Sequence, residues 1–145
     1  MFQKSRTAEA TLRLLPEQCM EEMPLSSRVT LPAAHATARV TALMEQAAAR
    51  LVQQELRAAE TSVGIAMNIT HAAPALATGG IRGMNVRAVA RHRGVAGGLH
   101  HVTIEAFDES GLIASAEHTR AVVIGGRARP PARRRAGVSS MPLDV

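Results

Sequence analysis

Four short segments with the composition of β-strands follow one long helical segment, and their close spacing restricts the fold more than any other feature. The strand segments are residues 61–71, 83–93, 99–107 and 112–124. The stretches GVAGG and DESG can form hairpin turns between the last three. Short connections make neighbouring strands antiparallel, because a parallel pair needs a long crossover. With a possible first strand over residues 7–14, the sequence predicts an α+β fold in which one long helix lies across an antiparallel sheet.

The helix is predicted over residues 35–57, where polar side chains recur within a stripe about 100° wide. The stripe consists of Arg39, Gln46, Arg50, Gln53, Gln54 and Arg57. Glu45 departs from it and projects about 120° from its centre, on the side of Val52 and Leu56. We expect a carboxylate there to face packing rather than water, which is costly without a partner or a chemical function. The alternative is a carboxylate that reaches the rim of the helix or meets a structural arginine.

Composition limits the class of protein. The 145 residues suffice for one domain with a core, and aromatic residues make up only 1%, so aliphatic side chains and methionine must fill that core. The single cysteine, Cys19, excludes an internal disulfide and indicates a reducing compartment. No apolar run approaches the ~18 residues of a membrane span, and the first residues lack the apolar region of a signal peptide. We therefore expect a cytoplasmic protein with no membrane partner.

The positive charge is concentrated at the end of the chain. Residues 126–145 hold five arginines and one aspartate, so they carry +4 of the formal net charge of +5. This segment is rich in Gly, Pro, Ser and Arg, which leaves little to bury. We expect a folded domain over residues 1–125 and a disordered Arg/Pro-rich tail over 126–145. The tail lacks aromatic residues for stacking on bases, so no specific nucleic-acid partner is expected.

Three side chains have the chemistry to attack a carbonyl group and to move its proton: Thr37, Glu45 and His71. His71 ends the strand predicted over 61–71, on the same face as Val63, Ile65, Met67 and Ile69. If that face packs on the helix, His71 and Glu45 share one cleft. Eight residues of regular helix span about 12 Å. Thr37 and Glu45 can therefore meet one substrate only if the backbone at Thr37 is not helical and folds back, or if a second subunit contributes.

Several blocks of the sequence resemble a known family. They are HAT before LMEQAA, then TSVGIAMNITH, EAFD and AEHTRAVV. They resemble the fluoroacetyl-CoA thioesterase-like family of hot-dog proteins, over about residues 7–124. The short LME-AA motif is weak by itself. The joint spacing of Thr37, Glu45, Gly64, His71 and Arg120 is more specific.

The resemblance implies a hot-dog fold, in which an antiparallel sheet wraps around one long central helix, and a homodimer with its site near the subunit interface. It implies hydrolysis of an acyl-CoA thioester, with Thr37, Glu45 and His71 as catalytic residues and with Gly64 and Arg120 binding substrate. Coenzyme A enters as part of the substrate, and no other cofactor is expected. Two roles for Glu45 stay open, since it can act as the nucleophile or as the base that activates water.

Two alternative functions make different demands on the sequence. A non-catalytic hot-dog module that binds acyl-CoA or a small hydrophobic ligand is compatible with Ala38, which stands where the family often has proline, and with the long loop 72–82. A hydratase or dehydratase would need an Asp/His pairing, which the sequence does not supply.

We expect structural roles for the remaining candidate residues. Gly64 interrupts a strand and can mark a bulge or a close approach of the helix. His118 shares a strand face with Arg120, and we expect it to be solvated or ion-paired. His100 and His101 point to opposite faces of a strand and His92 is expected at the surface, so no metal site is predicted.

Overall fold

The computed structural model describes residues 6–15, 23–24, 30–31, 34–72, 83–125 and 127–128. Within them lie one helix and eight strands. In chain order they are β1 (Thr7–Leu14), β2 (Met23–Pro24), β3 (Thr30–Leu31), α1 (Ala34–Gln53), β4 (Glu60–His71), β5 (Met84–Ala96), β6 (Leu99–Asp108), β7 (Gly111–Ile124) and β8 (Arg127–Ala128).

The main sheet is antiparallel in the order β1-β5-β6-β7-β4, with the short β8 added to β7, and β2 and β3 form a separate pair. The predicted antiparallel sheet is therefore confirmed. Both hairpin turns are tighter than predicted. Gly97 and Gly98 take positive φ angles of 60° and 76°, which a two-residue turn between twisted strands favours. The other turn is closed by Asp108 Oδ1, which accepts the N–H groups of Ser110 and Gly111.

The helix α1 lies across the sheet and buries an aliphatic face against it, mainly on β1 and β5. Its buried side chains are Ala36, Val40, Leu43, Met44, Ala47, Ala48, Leu51 and Val52. The predicted polar stripe is exposed along its full length. As the composition requires, Ala, Val, Leu, Ile and Met make up the buried apolar core of the described residues.

The helix ends at Gln53, four residues earlier than predicted. The next three N–H groups bond to carbonyls three residues back rather than four, which tightens and closes the last turn. Ala59 then takes a positive φ of 70°, and its carbonyl accepts the N–H of Gly125. These contacts direct the chain into β4.

A β-bulge divides β4 into two parts. Gly64 pairs with Arg120 and Ala66 pairs with Thr119, so Ile65 is the extra residue. A bulge shifts the alternation of side chains by one position. Ser62 and Gly64 therefore lie on the helix side of the sheet together with Met67, Ile69 and His71, whereas Val63 lies on the other side. The prediction that Val63, Met67 and His71 share one face is wrong for Val63, because strict alternation does not pass through the bulge.

Arg127–Ala128, within the segment predicted as a tail, form β8 and pair with Val123 and Ile124. Residues 129–145 and Cys19 lie outside the described residues, where those predictions stay untested. The helix that the structure describes lacks the long apolar stretch needed to cross a lipid bilayer.

Candidate active site

Glu45 meets the sheet at Gly64. The helix α1 passes beside β4, and Glu45 Oε1 accepts a hydrogen bond of 3.2 Å from Arg120 Nη1. A Cβ atom at position 64 would lie only 2.6 Å from that oxygen, so the approach requires a residue without a side chain. The structure thus brings together three of the five predicted site residues: Glu45, Gly64 and Arg120.

Arg120 is buried and held in one orientation. Its side chain is 5% exposed, and its Nε and Nη2 groups donate to the hydroxyl and the carbonyl of Ser62 at 2.8 and 3.0 Å. The planar guanidinium fits this pair of acceptors as a fork. Arg120 therefore presents Nη1 to Glu45 from a fixed position.

His118 completes the cluster, and sequence reasoning missed it. Its Nδ1 lies 2.8 Å from the Ala66 carbonyl and its Nε2 lies 3.1 Å from Arg120 Nη1. Burial lowers the pKa of His118 and the charge of Arg120 lowers it further, against the opposing effects of the Ala66 hydrogen bond and the Glu45 charge. The residue is 3% exposed, so the expectation of a solvated or ion-paired side chain is wrong. Its position two residues before Arg120 on one strand face was the available signal.

Glu45 itself is half exposed, with 49% of its side chain accessible, so the prediction that it faces packing is wrong for the single chain. The reason is its position at the margin of the buried face of α1. There the helix overhangs β4, which is the last strand of the sheet. No further strand of the described residues covers the carboxylate.

Thr37 lies inside the regular helix, half buried, and its carbonyl accepts a hydrogen bond of 3.0 Å from the Thr41 hydroxyl. Its backbone does not fold back. The eight residues to Glu45 therefore separate the two side chains by about 12 Å along the helix axis. Of the two routes by which Thr37 could share a substrate with Glu45, only the second subunit remains.

His71 lies on the helix side of the sheet but at the far end of β4 from Gly64, and it is exposed. The β7 residues that pair with Gly64 and His71 are six positions apart, which corresponds to about 20 Å along the strand. His71 therefore does not reach Glu45 within one chain. The predicted convergence of the carboxylate and the imidazole does not occur in the monomer.

A second polar cluster joins Glu55, His92 and His100. The two histidines approach to 2.9 Å between His92 Nε2 and His100 Nδ1, and Glu55 Oε2 lies 4.0 and 3.6 Å from these atoms. Among the described residues these are the three side chains with metal-ligating atoms close together. The side chain of His92 is only 13% exposed, so its predicted surface position is wrong.

The geometry of the pair is that of a hydrogen bond rather than a chelate. The ring centroids are 5.2 Å apart, which nearly equals the N–N distance plus the two ring radii. The two nitrogens therefore point at each other and not at a common third point. The other Glu55 oxygen lies 2.7 Å from Arg6, whose positive charge opposes a cation. Burial and the charge of Arg6 lower the pKa of His92, while Glu55 raises it.

The chain is similar to thioesterases in sequence and in fold. The family model described as fluoroacetyl-CoA-specific thioesterase, FlK, matches residues 17–125. The structure of FlK superposes with a TM-score of 0.67 at 26% identity, covering 86% of this chain and 90% of FlK. A threonine-to-serine variant of FlK in complex with acetyl-CoA gives 0.65 at 25%, over 85% and 90%. A hypothetical protein of Thermus thermophilus from the thioesterase superfamily gives 0.65 at 22%, over 85% of each chain.

No curated protein sequence matches the chain. The family model nevertheless covers about three quarters of it, including all of α1 and the strands from β4 to β7. The superpositions confirm the predicted hot-dog fold, in which the antiparallel sheet curls around α1. The chain belongs to the fluoroacetyl-CoA-specific thioesterase (FlK) family.

Proposed function

We propose that the protein hydrolyses acyl-CoA thioesters at a site made of Glu45, Gly64 and Arg120 from one subunit and His71 from a second copy. The observation that carries the proposal is the Glu45 carboxylate, held by Arg120 directly against Gly64 at the bulge. Family membership supports the reaction class. The FlK variant with bound acetyl-CoA supports the substrate class, because its identity to this chain is 25% over most of both chains.

The second copy is proposed to add its β4 to the β4 of the first. This strand is the end of the sheet, and among the described residues no strand pairs with its outer edge. Its 12 residues carry one charged side chain, Glu60, and they expose Val63 and Ile65 by 41% and 47%. Edge strands of soluble proteins usually carry charges, prolines or covers that prevent such pairing. A long apolar edge without them favours pairing with another strand.

One register of this pairing places His71 of the partner subunit at the active site. Directly opposed residues of antiparallel strands lie on the same face. With the two-fold axis at Asn68, Met67 faces the partner's Ile69 and Ala66 faces the partner's Thr70. The next position is the bulge, where Ile65 is the extra residue, so Gly64 and Ile65 together face the partner's His71 and Gly64 shares its face. All three pairs satisfy the same-face requirement. The register therefore brings an imidazole to Glu45, and it leaves Thr37 to act across the interface.

The chemistry follows from these positions. The bulge leaves one residue outside the ladder, so a backbone N–H near Gly64 can hold the carbonyl oxygen of the thioester. Glu45 then attacks the carbonyl carbon or takes a proton from a water that does so. In the first route an anhydride forms and water hydrolyses it. In both routes the C–S bond breaks, and His71 of the partner subunit protonates the CoA thiolate that leaves.

The reaction is tested with a panel of short-chain and aryl acyl-CoA substrates, measuring release of the free thiol. We expect wild-type turnover and a loss of at least about 100-fold in kcat for Glu45→Gln, which keeps the shape of the side chain but removes its charge. Single turnover in ¹⁸O-labelled water separates the two routes, because only the nucleophilic route places label in Glu45. Binding without turnover would instead favour the non-catalytic module, and an active Glu45→Gln variant would contradict the proposed mechanism.

The register is tested by cysteine cross-linking in a Cys19→Ser background. Asn68→Cys places two thiols across the two-fold axis, where opposed Cα atoms lie about 4.5–5.5 Å apart, within disulfide range. We expect a disulfide-linked dimer under mild oxidation. Thr70→Cys is the matched control on the same face, and its thiols would be about 13 Å apart along the strands. Cross-linking of Thr70→Cys but not of Asn68→Cys would show that this register is wrong.

A further inference from the structure

His118 stands between the bulge of β4 and the arginine that holds Glu45. One side of its ring contacts the carbonyl of Ala66, the first residue after the bulge, and the other side contacts Arg120 Nη1. A Cβ atom at Gly64 would lie 3.1 Å from His118 Cε1, so the ring also borders the pocket around Gly64. The same side chain therefore touches both parts of the proposed site that have to be fixed in place.

The partners of His118 determine its protonation. A carbonyl oxygen only accepts hydrogen bonds, so Nδ1 carries a proton and donates it to Ala66. A guanidinium only donates, so Nε2 carries a lone pair and accepts from Arg120. His118 is therefore the neutral tautomer with its proton on Nδ1. The other tautomer would place an N–H against Arg120 and a lone pair against the carbonyl, and the cationic form would place an N–H against Arg120.

The contact with His118 also accounts for the orientation of the Arg120 guanidinium. Ser62 takes Nε–H and one Nη2–H of the guanidinium. Nη1 carries two further hydrogens, and its two acceptors are His118 Nε2 at 3.1 Å and Glu45 Oε1 at 3.2 Å. With one hydrogen taken by the buried imidazole, the other is directed at the half-exposed carboxylate. Without that acceptor, Nη1 would have an unsatisfied buried donor, which costs about 1–3 kcal/mol and favours rotation of the group.

We propose that His118 is a positioning residue for thioester hydrolysis: its lone pair aims Arg120 at Glu45, and its N–H holds the carbonyl of Ala66 and with it the shape of the bulge. This inference rests on the proposed function. The charged groups that face His118 are Arg120 on its own strand and Glu45 from α1. The residues opposite it are Met67 on β4 and Val102 on β6, neither of which is charged.

Two substitutions separate the two contacts. In His118→Asn the amide nitrogen replaces Nδ1 and can still donate to Ala66, but the side chain is too short to reach Arg120. In His118→Gln the amide oxygen reaches the position of Nε2 and can accept from Arg120, while the donor to Ala66 is lost. We expect His118→Asn to lower kcat about tenfold or more with a small change in KM, because Glu45 loses its fixed partner. We expect His118→Gln to keep kcat within a few-fold and to raise KM, because the bulge that receives the thioester is loosened.

His101→Gln is the matched control. His101 pairs with Thr119 on β7, so it points to the face of the sheet opposite to His118, Arg120 and Glu45. It should leave both kinetic constants unchanged. Thermal melting of each variant shows whether it is folded before its kinetics are compared. Both His118 variants within twofold of wild type in kcat and in KM would overturn the proposal. So would equal losses in both constants for both variants, which would indicate a merely structural role.

A second measurement does not depend on turnover. Long-range ¹H–¹⁵N NMR distinguishes the two neutral tautomers and the cation of each histidine, and the signals of the wild type are assigned with His118→Gln and His101→Gln. We expect His118 to be neutral at neutral pH, with its proton on Nδ1. A proton on Nε2 at neutral pH would overturn the proposal. If the wild type cleaves no thioester, the proposed function fails while this measurement still decides whether the positioning geometry exists.

Discussion

Replacing Gly64 by alanine should strongly slow thioester hydrolysis while leaving the fold nearly intact. The new Cβ would lie 2.6 Å from Glu45 Oε1, 3.1 Å from His118 Cε1 and 3.5 Å from Arg120 Nη1. The first distance is about 0.6 Å or more below an ordinary carbon–oxygen contact. Gly64 is not among the residues with positive φ, so its backbone accepts alanine without strain. The substitution therefore acts mainly on Glu45, which must move, while the His118 ring has to give by a few tenths of an ångström.

The expected loss of stability is small, whereas the expected loss of activity is large. The displaced carboxylate is 49% exposed and loses one hydrogen bond to Arg120, which is 5% exposed. Because water reaches the carboxylate and screens the pair, this loss costs about 1 kcal/mol. The melting temperature should therefore fall by less than about 5 °C. A displacement of about 1 Å at a reacting group costs about 100-fold in rate, so kcat should fall by about two orders of magnitude.

Gly97→Ala is the matched control, since it should lower stability and leave activity unchanged. Gly97 has a φ of 60° in the β5–β6 turn, and a Cβ there would meet nothing within 4 Å. Alanine in that conformation costs about 1–2 kcal/mol, so this variant should melt earlier and keep its activity. Thiol release and thermal melting of both variants check the prediction. A Gly64→Ala enzyme with the kcat/KM of the wild type would refute the argument that Glu45 has to lie against a residue without a side chain.

Two further predictions concern Arg120 and pH. Arg120→Lys keeps the charge but cannot bond to both acceptors of Ser62 and to Glu45 at the same time. Chemical denaturation should show that the free energy of unfolding falls by about 1–3 kcal/mol, and kcat should fall as well. Burial lowers the pKa values of both His118 and His92 from the usual value of about 6.5, so the unfolded chain binds protons first as pH falls. The free energy of unfolding should therefore be insensitive to these groups above about pH 7 and should decrease as pH falls through about 6.5, until the folded protein also takes up the protons. Denaturation at about pH 7.5 and pH 5.5 checks this, and His118→Gln should weaken the dependence; equal dependence in wild type and variant would contradict it.

The fold was predictable because its signals are local. Strand β1 has the predicted bounds of residues 7–14, and β4, β6 and β7 differ from prediction by one residue at an end, since turn residues and period-two patterns mark them. The end of α1 was missed because the closing of its last turn depends on contacts rather than on helix propensity.

The site was only partly predictable. The family resemblance assigned Glu45, Gly64 and Arg120 to one site, and the structure brings these three residues together. The exposure of Glu45 depends on where the sheet ends, which no local pattern encodes. The side chain of His118 is held by two groups, the Ala66 carbonyl on β4 and Arg120 on its own strand, and the first comes from a distant part of the sequence. Its sequence position alone was therefore compatible with a surface residue.

Ile65 has a consequence for how this strand can vary. Ile65 is the extra residue of β4, and it reverses the direction in which the side chains before it point. Gly64 therefore faces Glu45 only because two residues, and not one, separate it from Met67. Loss of one codon at this place would straighten the ladder and rotate either Gly64 or Met67 to the opposite surface. A chain that keeps every residue of the site but lacks one residue at the bulge would thus be inactive. A comparison of residue identities alone would not reveal this loss of activity.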